Sequence, residues 1–321
     1  MSTSDRLLVL IPVYDDWTAL GLLLPRLGQA LTRDGLSAEI LVIDDASQIA
    51  ADAILPSPGI TATHVVSLRR NVGHQRAIAI GLAYAEEHFP GAHVVVMDAD
   101  GEDDPVHVPR LYEKCREERF AKIVFARRRK RSEGPRFVFF YALYRWLYRL
   151  MTGMDIRVGN FSIVPHAVLR RLVGVSEIWS HYVGGVMKAR LPYATVPCDR
   201  APRLAGRSRM NLVSLVTHGL SAIAVNGDVL GVRALMATCA LIVAMITAIV
   251  VAVGIRLYTN LAIPGWATYV VALATVILIE AIILSLFFIF TILSGRNQVN
   301  FIPKRDYHHF VLDVTSSPAH V

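Results

Sequence analysis

Val94-Val95-Val96-Met97-Asp98-Ala99-Asp100-Gly101-Glu102-Asp103-Asp104-Pro105 is the stretch that decides the reading of this chain, because a continuous apolar run stops there in a cluster of acids. Apolar residues in a row, without alternation, read as a strand buried on both faces, the kind found in parallel sheets with helices above and below. Pro105 stands where a following helix would begin, since its fixed φ and missing N–H suit a first helical turn. Several carboxylates therefore crowd the carboxyl end of one strand, which is electrostatically costly unless a cation offsets it. Carboxylate oxygens on a short loop commonly hold Mg2+ or Mn2+ against a substrate's phosphates. A solvated acidic turn is the plainer alternative.

Outward from this strand, Leu7 to Val13, Glu39 to Ile43 and Thr63 to Leu68 are further strand candidates, and helical patterns run near Trp17 to Leu31 and Arg76 to Glu87. The alternation predicts an α/β domain: a mostly parallel, Rossmann-like sheet with helices on both faces. Ligands bind such sheets outside the carboxyl ends of the strands. Tyr14 and Asp15, Asp44 and Asp45, Asn71 to Gln75, and Asp98 to Glu102 all fall on that edge. No G-x-G-x-x-G opens the first helix and no G-x-x-x-x-G-K-[ST] loop occurs, so a dinucleotide oxidoreductase and a P-loop enzyme lose their main support. Acids outnumber glycines at this edge, which favours a metal-bridged diphosphate over one cradled by backbone amides.

Of the 321 residues 54% are hydrophobic, and the mean hydropathy of +0.44 is high for a soluble enzyme. The excess lies after residue 230. Leu235 to Ile255 holds no charge and Ala267 to Leu293 only Glu280, and each run is long enough to cross a hydrocarbon core of about 30 Å as a helix. The N-terminus does not resemble a secretory signal. Arg203, Arg207, Arg209 and Arg233 precede the first span, Arg296, Lys304 and Arg305 follow the second, and the connecting loop offers Arg256, so both ends are expected in the cytoplasm. Cys115, Cys198 and Cys239 fit neither a disulfide framework nor a zinc site. The net charge of +7 points to an anionic membrane surface rather than nucleic acid.

Ile11-Pro12-Val13-Tyr14, Val42-Ile43-Asp44-Asp45-Ala46-Ser47, Asn71-Val72-Gly73 and Asp98-Ala99-Asp100, four motifs in order over residues 6 to 210, resemble the nucleotide-sugar half of a family 2 glycosyltransferase with the GT-A fold. With two C-terminal spans, the whole chain is similar to polyisoprenyl-phosphate glycosyltransferases. The resemblance implies that Asp44 and Asp45 contact the nucleoside, Asp44 at the base, that Pro12 and Tyr14 line the same pocket, and that Asn71 and Gln75 belong to the donor edge. Asp98, Asp100 and Glu102 match positions that hold Mg2+ or Mn2+ and, through it, the sugar diphosphate. Glu102 stands where many relatives have glutamine; it either tightens the metal or points away. Arg127, ending the strand candidate Lys122 to Ala126, matches an arginine that contacts the acceptor phosphate, with Arg131 beside it. Arg129 to Arg131 read equally as a solvated face.

Phe137 to Leu150 is dense in aromatic residues, with Arg145 and Arg149 on one helical face, and reads as a membrane-interface helix or a buried core helix. Gly159-Asn160-Phe161 resembles an acceptor-side segment in which many bacterial relatives carry an aspartate considered a catalytic base. Asn160 takes no proton at neutral pH. A polyprenyl phosphate is largely a dianion there and already nucleophilic, which leaves Asn160 to orient sugar or acceptor. Arg203-Leu204-Ala205-Gly206-Arg207-Ser208-Arg209 matches a loop that closes over the donor, with Arg203 on the diphosphate.

The expected organisation is a cytoplasmic GT-A domain over residues 1–208, a juxtamembrane amphipathic helix over 209–232, two transmembrane helices over 233–295 and a loosely ordered cytoplasmic tail over 296–321. Glu280, costly in mid-span, suggests a packing interface in a homo-oligomer. The function implied is an inverting transfer of a hexose from a nucleotide diphosphate sugar, a UDP-sugar by resemblance to bacterial relatives, to a polyprenyl (undecaprenyl) phosphate at the bacterial inner membrane. Asp100, Arg127, Asn160 and Arg203 would act on it. A processive polysaccharide synthase would usually carry Q-x-x-R-W and more spans, and neither is found. A non-catalytic scaffold is opposed by the intact Asp98-Ala99-Asp100.

Overall fold

The computed structural model describes residues 6–49, 57–128, 149, 158–206, 224–259, 265–296 and 301–318. The chain divides into two compact units: residues 1–140, 155–225 and 300–321 form one, residues 141–154 and 226–299 the other.

In the first unit the apolar runs become strands β1 (Leu7–Val13), β2 (Ala38–Asp44), β3 (Ile60–Leu68), β4 (His93–Val96), β5 (Ile123–Arg128), β6 (Ser162–Val164), β7 (Tyr193–Cys198) and β8 (Val311–Pro318). Among the described residues they form one sheet in the order β7-β5-β6-β4-β1-β2-β3-β8. β4, β1, β2 and β3 run parallel, as do β5 and β7. β6 is antiparallel to both its neighbours and β8 is antiparallel to β3. This is the mostly parallel α/β sheet expected, and β1 and β4 are buried along their whole length.

Successive side chains of a strand point to opposite faces. Leu8 and Leu10 accordingly join the core built with helix α2 (His74–His88), α4 (His166–Leu172) and α5 (Tyr182–Lys188), while Leu7, Val9, Ile11 and Val13 join that built with α1 (Trp17–Arg33) and α3 (Val108–Glu117). Gly81 lets α2 lie close on the sheet, since a Cβ there would fall 2.4 Å from Leu10 Cδ1 and 2.8 Å from Ile43 Cγ1. Pro105 opens a helical turn as expected, leading into α3, and Asp104 caps it by accepting from Val106 N at 3.1 Å.

The C-terminal segment differs from its expected looseness. Residues 311–318 pair with β3 over its length, and just before them Lys304 reaches Glu86 at 2.5 Å and Glu87 at 3.2 Å on α2. Val311, Val314 and Thr315 supply β propensity, and an open sheet edge supplies unpaired backbone groups for the segment to meet.

In the second unit, α6 (Gly227–Tyr258) and α7 (Trp266–Arg296) are long and apolar enough to cross a membrane. They outrun the expected spans, because α6 begins eight residues before Leu235 with no break in its backbone hydrogen bonding. Residues 227–232, expected in an amphipathic surface helix, are thus the first turns of α6. Ser285 Oγ donates to Thr238 Oγ1 at 2.8 Å between the two helices, and a Cβ on Gly231 would meet Ile292 Cγ1 at 2.8 Å. Small and hydroxyl side chains of this kind let apolar helices approach closely. Glu280 sits on an exposed face of α7.

Candidate active site

The carboxyl ends of β1, β2 and β4 bring three acidic turns side by side, as the parallel register requires. The first two are stitched together. Asp15 adopts φ 52°, and its Oδ1 accepts from Gln48 N at 2.6 Å and Ile49 N at 3.0 Å, while its own N–H donates to Ser47 Oγ at 2.9 Å. Asp44 Oδ1 accepts from Ser47 N, three residues on, at 2.9 Å, which fixes the carboxylate at the strand end. Tyr14 is half-buried next to it, whereas Pro12 is buried within β1 and Asn71 is exposed.

Asp45 is the more deeply set of the pair. It is only 3% exposed, and its two oxygens accept from Val72 N at 2.7 Å and Gly73 N at 2.8 Å. Burial pushes its pKa up against those two bonds. The residue ties β2 to the turn that opens α2, with both its oxygens engaged by backbone amides. Asp45→Ala should therefore lower unfolding free energy by about 3 kcal/mol, with Asp45→Asn intermediate, since two amides lose a charged acceptor. A thermal melt unchanged in the alanine variant would refute this role.

The third turn carries Asp98, Asp100 and Glu102, and each faces a different partner. Asp98 Oδ1 lies 3.2 Å from His74 Nε2. Asp100 Oδ2 accepts from Arg203 Nη1 at 3.0 Å and its Oδ1 from Glu102 N at 2.9 Å. Glu102 pairs with Arg200. Arg203 also pairs with Asp16 and donates through Nε to Ala205 O at 2.9 Å. Asp103, which the motifs did not single out, buckles the turn by accepting from Asp98 N at 3.1 Å.

Burial and the neighbouring Asp98 raise the Asp100 carboxyl to about 6 although Arg203 and Arg200 pull it down. Burial would lower the His74 pKa, but Asp98, Asp103 and Asp100 outweigh it and hold the imidazole above its ordinary value. Among the described residues no group of three or more His, Cys, Asp and Glu side chains is gathered to hold a metal ion. Of the expected trio, Asp98 faces His74, Asp100 faces Arg203 and Glu102 pairs with Arg200. A divalent ion still fits the chemistry of the donors. Carboxylate oxygens are hard ligands, and such an ion is commonly held by one or two of them with substrate phosphates and water completing its shell.

On the acceptor side, Asn160 comes next to α2. Its Oδ1 accepts from Gln75 Nε2 at 3.3 Å and its Nδ2 lies 3.0 Å from His74 Nε2. Gln75 Oε1 in turn accepts from Tyr182 N at 2.7 Å, so Gln75 braces α5 and Asn160. The buried Tyr182 hydroxyl and Ser162 Oγ are 2.9 Å apart, and Ser162 Oγ donates to Asn160 O at 2.8 Å. Arg127 is exposed at the end of β5. A small cleft next to it is lined by Glu102, Asp103, Ala126, Gly159, Phe161, Cys198, Asp199 and Arg200. Arg131, Arg145, Arg207 and Arg209 lie outside the described residues, as does the stretch 207–223. His74 was missed because a lone histidine after Asn71-Val72-Gly73 carries no motif; only its place in the first turn of α2, at the carboxyl edge, hinted at it.

Acids gathered at the carboxyl edge of a mostly parallel sheet are the setting that the four motifs implied for glycosyl transfer. The chain belongs to glycosyl transferase family 2, whose family model matches residues 8–172. It is 27% identical over 230 residues to the uncharacterized glycosyltransferase YkcC of Bacillus subtilis (strain 168), spanning 70% of this chain and 69% of that one. It is 28% identical over 218 residues to the undecaprenyl-phosphate 4-deoxy-4-formamido-L-arabinose transferase of Erwinia tasmaniensis, 65% of this chain and 64% of that one. Among solved structures, the glucosyl-3-phosphoglycerate synthase of Mycobacterium tuberculosis, crystallised with Mn2+, uridine diphosphate and glucosyl-3-phosphoglycerate, superposes with a TM-score of 0.48 at 18% identity, over 70% of this chain and 80% of that one.

Proposed function

We infer that this glycosyltransferase moves a hexose, with inversion, from a nucleotide diphosphate sugar to a polyprenyl phosphate of the undecaprenyl class at the cytoplasmic leaflet of a bacterial inner membrane. The observation that supports this best is the union, in one family 2 chain, of an acid-rich donor edge with two helices long and apolar enough to span a bilayer. An acceptor carried by the lipid gives an enzyme of this kind a reason to be anchored. The relatives named undecaprenyl-phosphate transferases support the same acceptor. A UDP-sugar is the proposed donor, and the sheet domain and both chain ends are placed on the cytoplasmic side.

In this reading Asp44 and Tyr14 receive the nucleoside, with Asp45 and Asp15 fixing the turns beneath it. Asp98 and Asp100 would hold Mg2+ or Mn2+, which when bound offsets charge developing on the departing diphosphate. Arg203 moves from the two carboxylates it now bridges to the diphosphate. Arg127, with Arg131, draws in the lipid phosphate, whose own negative charge makes it the nucleophile. Asn160, held by Gln75, orients the incoming groups by hydrogen bonds and accepts no proton. Purified full-length protein incubated with undecaprenyl phosphate, a panel of nucleotide sugars and Mg2+ or Mn2+ should yield a lipid heavier by one hexosyl unit. An unmodified lipid with every donor, or a ladder of added sugars, would overturn it.

A further inference from the structure

We propose that His74 is a ligand of the divalent ion, paired with Asp98, and that it makes the site select Mn2+ over Mg2+. The inference rests on the metal-dependent reading of the donor site given above.

Three observations carry it. The first is spacing. His74 Nε2 and Asp98 Oδ1 are 3.2 Å apart, and two donors on adjacent corners of an octahedral ion, each bonded at about 2.1 Å, stand about 3.0 Å apart. The second is tautomer. The Tyr182 backbone N–H donates to Gln75 Oε1, which leaves Gln75 Nε2 as the donor to Asn160 Oδ1. Asn160 Nδ2 is then the donor to His74, so Nε2 presents a lone pair. A fixed chain of this kind is how the surroundings of a metal-ligating histidine set its tautomer.

The third is charge. Asp98 Oδ1 sets an anionic oxygen 3.2 Å from Nε2, a place that calls for positive charge, whereas the amide chain leaves that nitrogen without a proton. A divalent ion seated on that lone pair meets both demands. Asn160 would give up the lone pair as the ion enters, freeing its amide for the acceptor side. His74 would join Asp98 and Asp100 as the protein's share of the shell, with the diphosphate and water supplying the remaining ligands. A nitrogen donor disfavours Mg2+, a hard ion that takes oxygen, relative to a transition ion such as Mn2+.

The test is pulsed electron paramagnetic resonance on untagged full-length protein in detergent, loaded with Mn2+ and uridine diphosphate, with guanosine diphosphate in parallel. The expected result is 14N modulation from a directly bound imidazole, lost in both His74→Ala and His74→Gln, whose folds are verified by circular dichroism. Competition titrations should show wild type preferring Mn2+ over Mg2+ by at least tenfold more than the variants do. Mn2+ bound without 14N modulation, or modulation that survives in a folded variant, overturns the role of His74 and leaves the metal-dependent reading standing. No Mn2+ bound to wild type with either nucleotide overturns both.

Discussion

Asp100→Asn should cut glycosyl transfer by about 10²- to 10³-fold, the usual effect of removing one group that stabilises charge in a transition state. The side chain is 15% exposed, against Arg203 and near Asp98. Asparagine keeps an acceptor for the Glu102 N–H that now meets Oδ1 at 2.9 Å, so the turn itself should survive. What is lost is a negative charge at the proposed metal and its hydrogen-bond acceptor toward Arg203, where an amide would instead point N–H at N–H. Membrane insertion and the thermal melt should stay close to wild type, which separates loss of chemistry from loss of fold. Activity within threefold of wild type would remove Asp100 from the metal site.

How much of this was legible beforehand depends on the kind of interaction. Val94 to Val96 and Leu7 to Val13 announced buried parallel strands because a strand covered on both faces must be apolar without interruption. The two long apolar helices were equally plain, since composition alone fixes them. Contacts between turns distant in sequence were not. Asp45 read as a nucleoside contact beside Asp44, yet burial and two amides from residues 72 and 73 claim it, and nothing in a local pattern tells one acid of a pair from the other.

Glu102 likewise lies in an acid cluster whose members differ in the partner each meets, His74 for Asp98, Arg203 for Asp100 and Arg200 for Glu102, and those partners arrive from distant parts of the chain. The strand at 311–318 lacked a signal because its partner edge is made by β3, some 250 residues earlier. A strand of mixed Val, Thr and Ser at the end of a chain reads as a tail until an edge is known to be open for it.

Arg203 carries the second large effect. Its guanidinium uses three nitrogens at once: Nη1 on Asp100, Nη2 on Asp16, and Nε on Ala205 O. Residues 201–206 are laid across the acid turn by further bonds, from Ala201 N to Glu102 O at 3.1 Å and from Leu204 N to Asp100 O at 2.9 Å. Leu204 also packs over Gly101, where a Cβ would come within 2.4 Å of Leu204 Cγ. The loop is therefore docked through the same arginine proposed to steady the donor diphosphate, and one fork serves both states because carboxylate and phosphate oxygens present the same acceptor geometry. A lysine ammonium gathers its three donors on one atom and cannot reproduce the spread by which the guanidinium meets Asp16, Asp100 and the Ala205 carbonyl at once. Arg203→Lys should accordingly fail to rescue Arg203→Ala: both should lose about 10²-fold in kcat/KM, with faster proteolytic nicking within 201–206. A lysine variant with wild-type kcat/KM would show that a single charge suffices there, and the bridging geometry would then have no part in turnover.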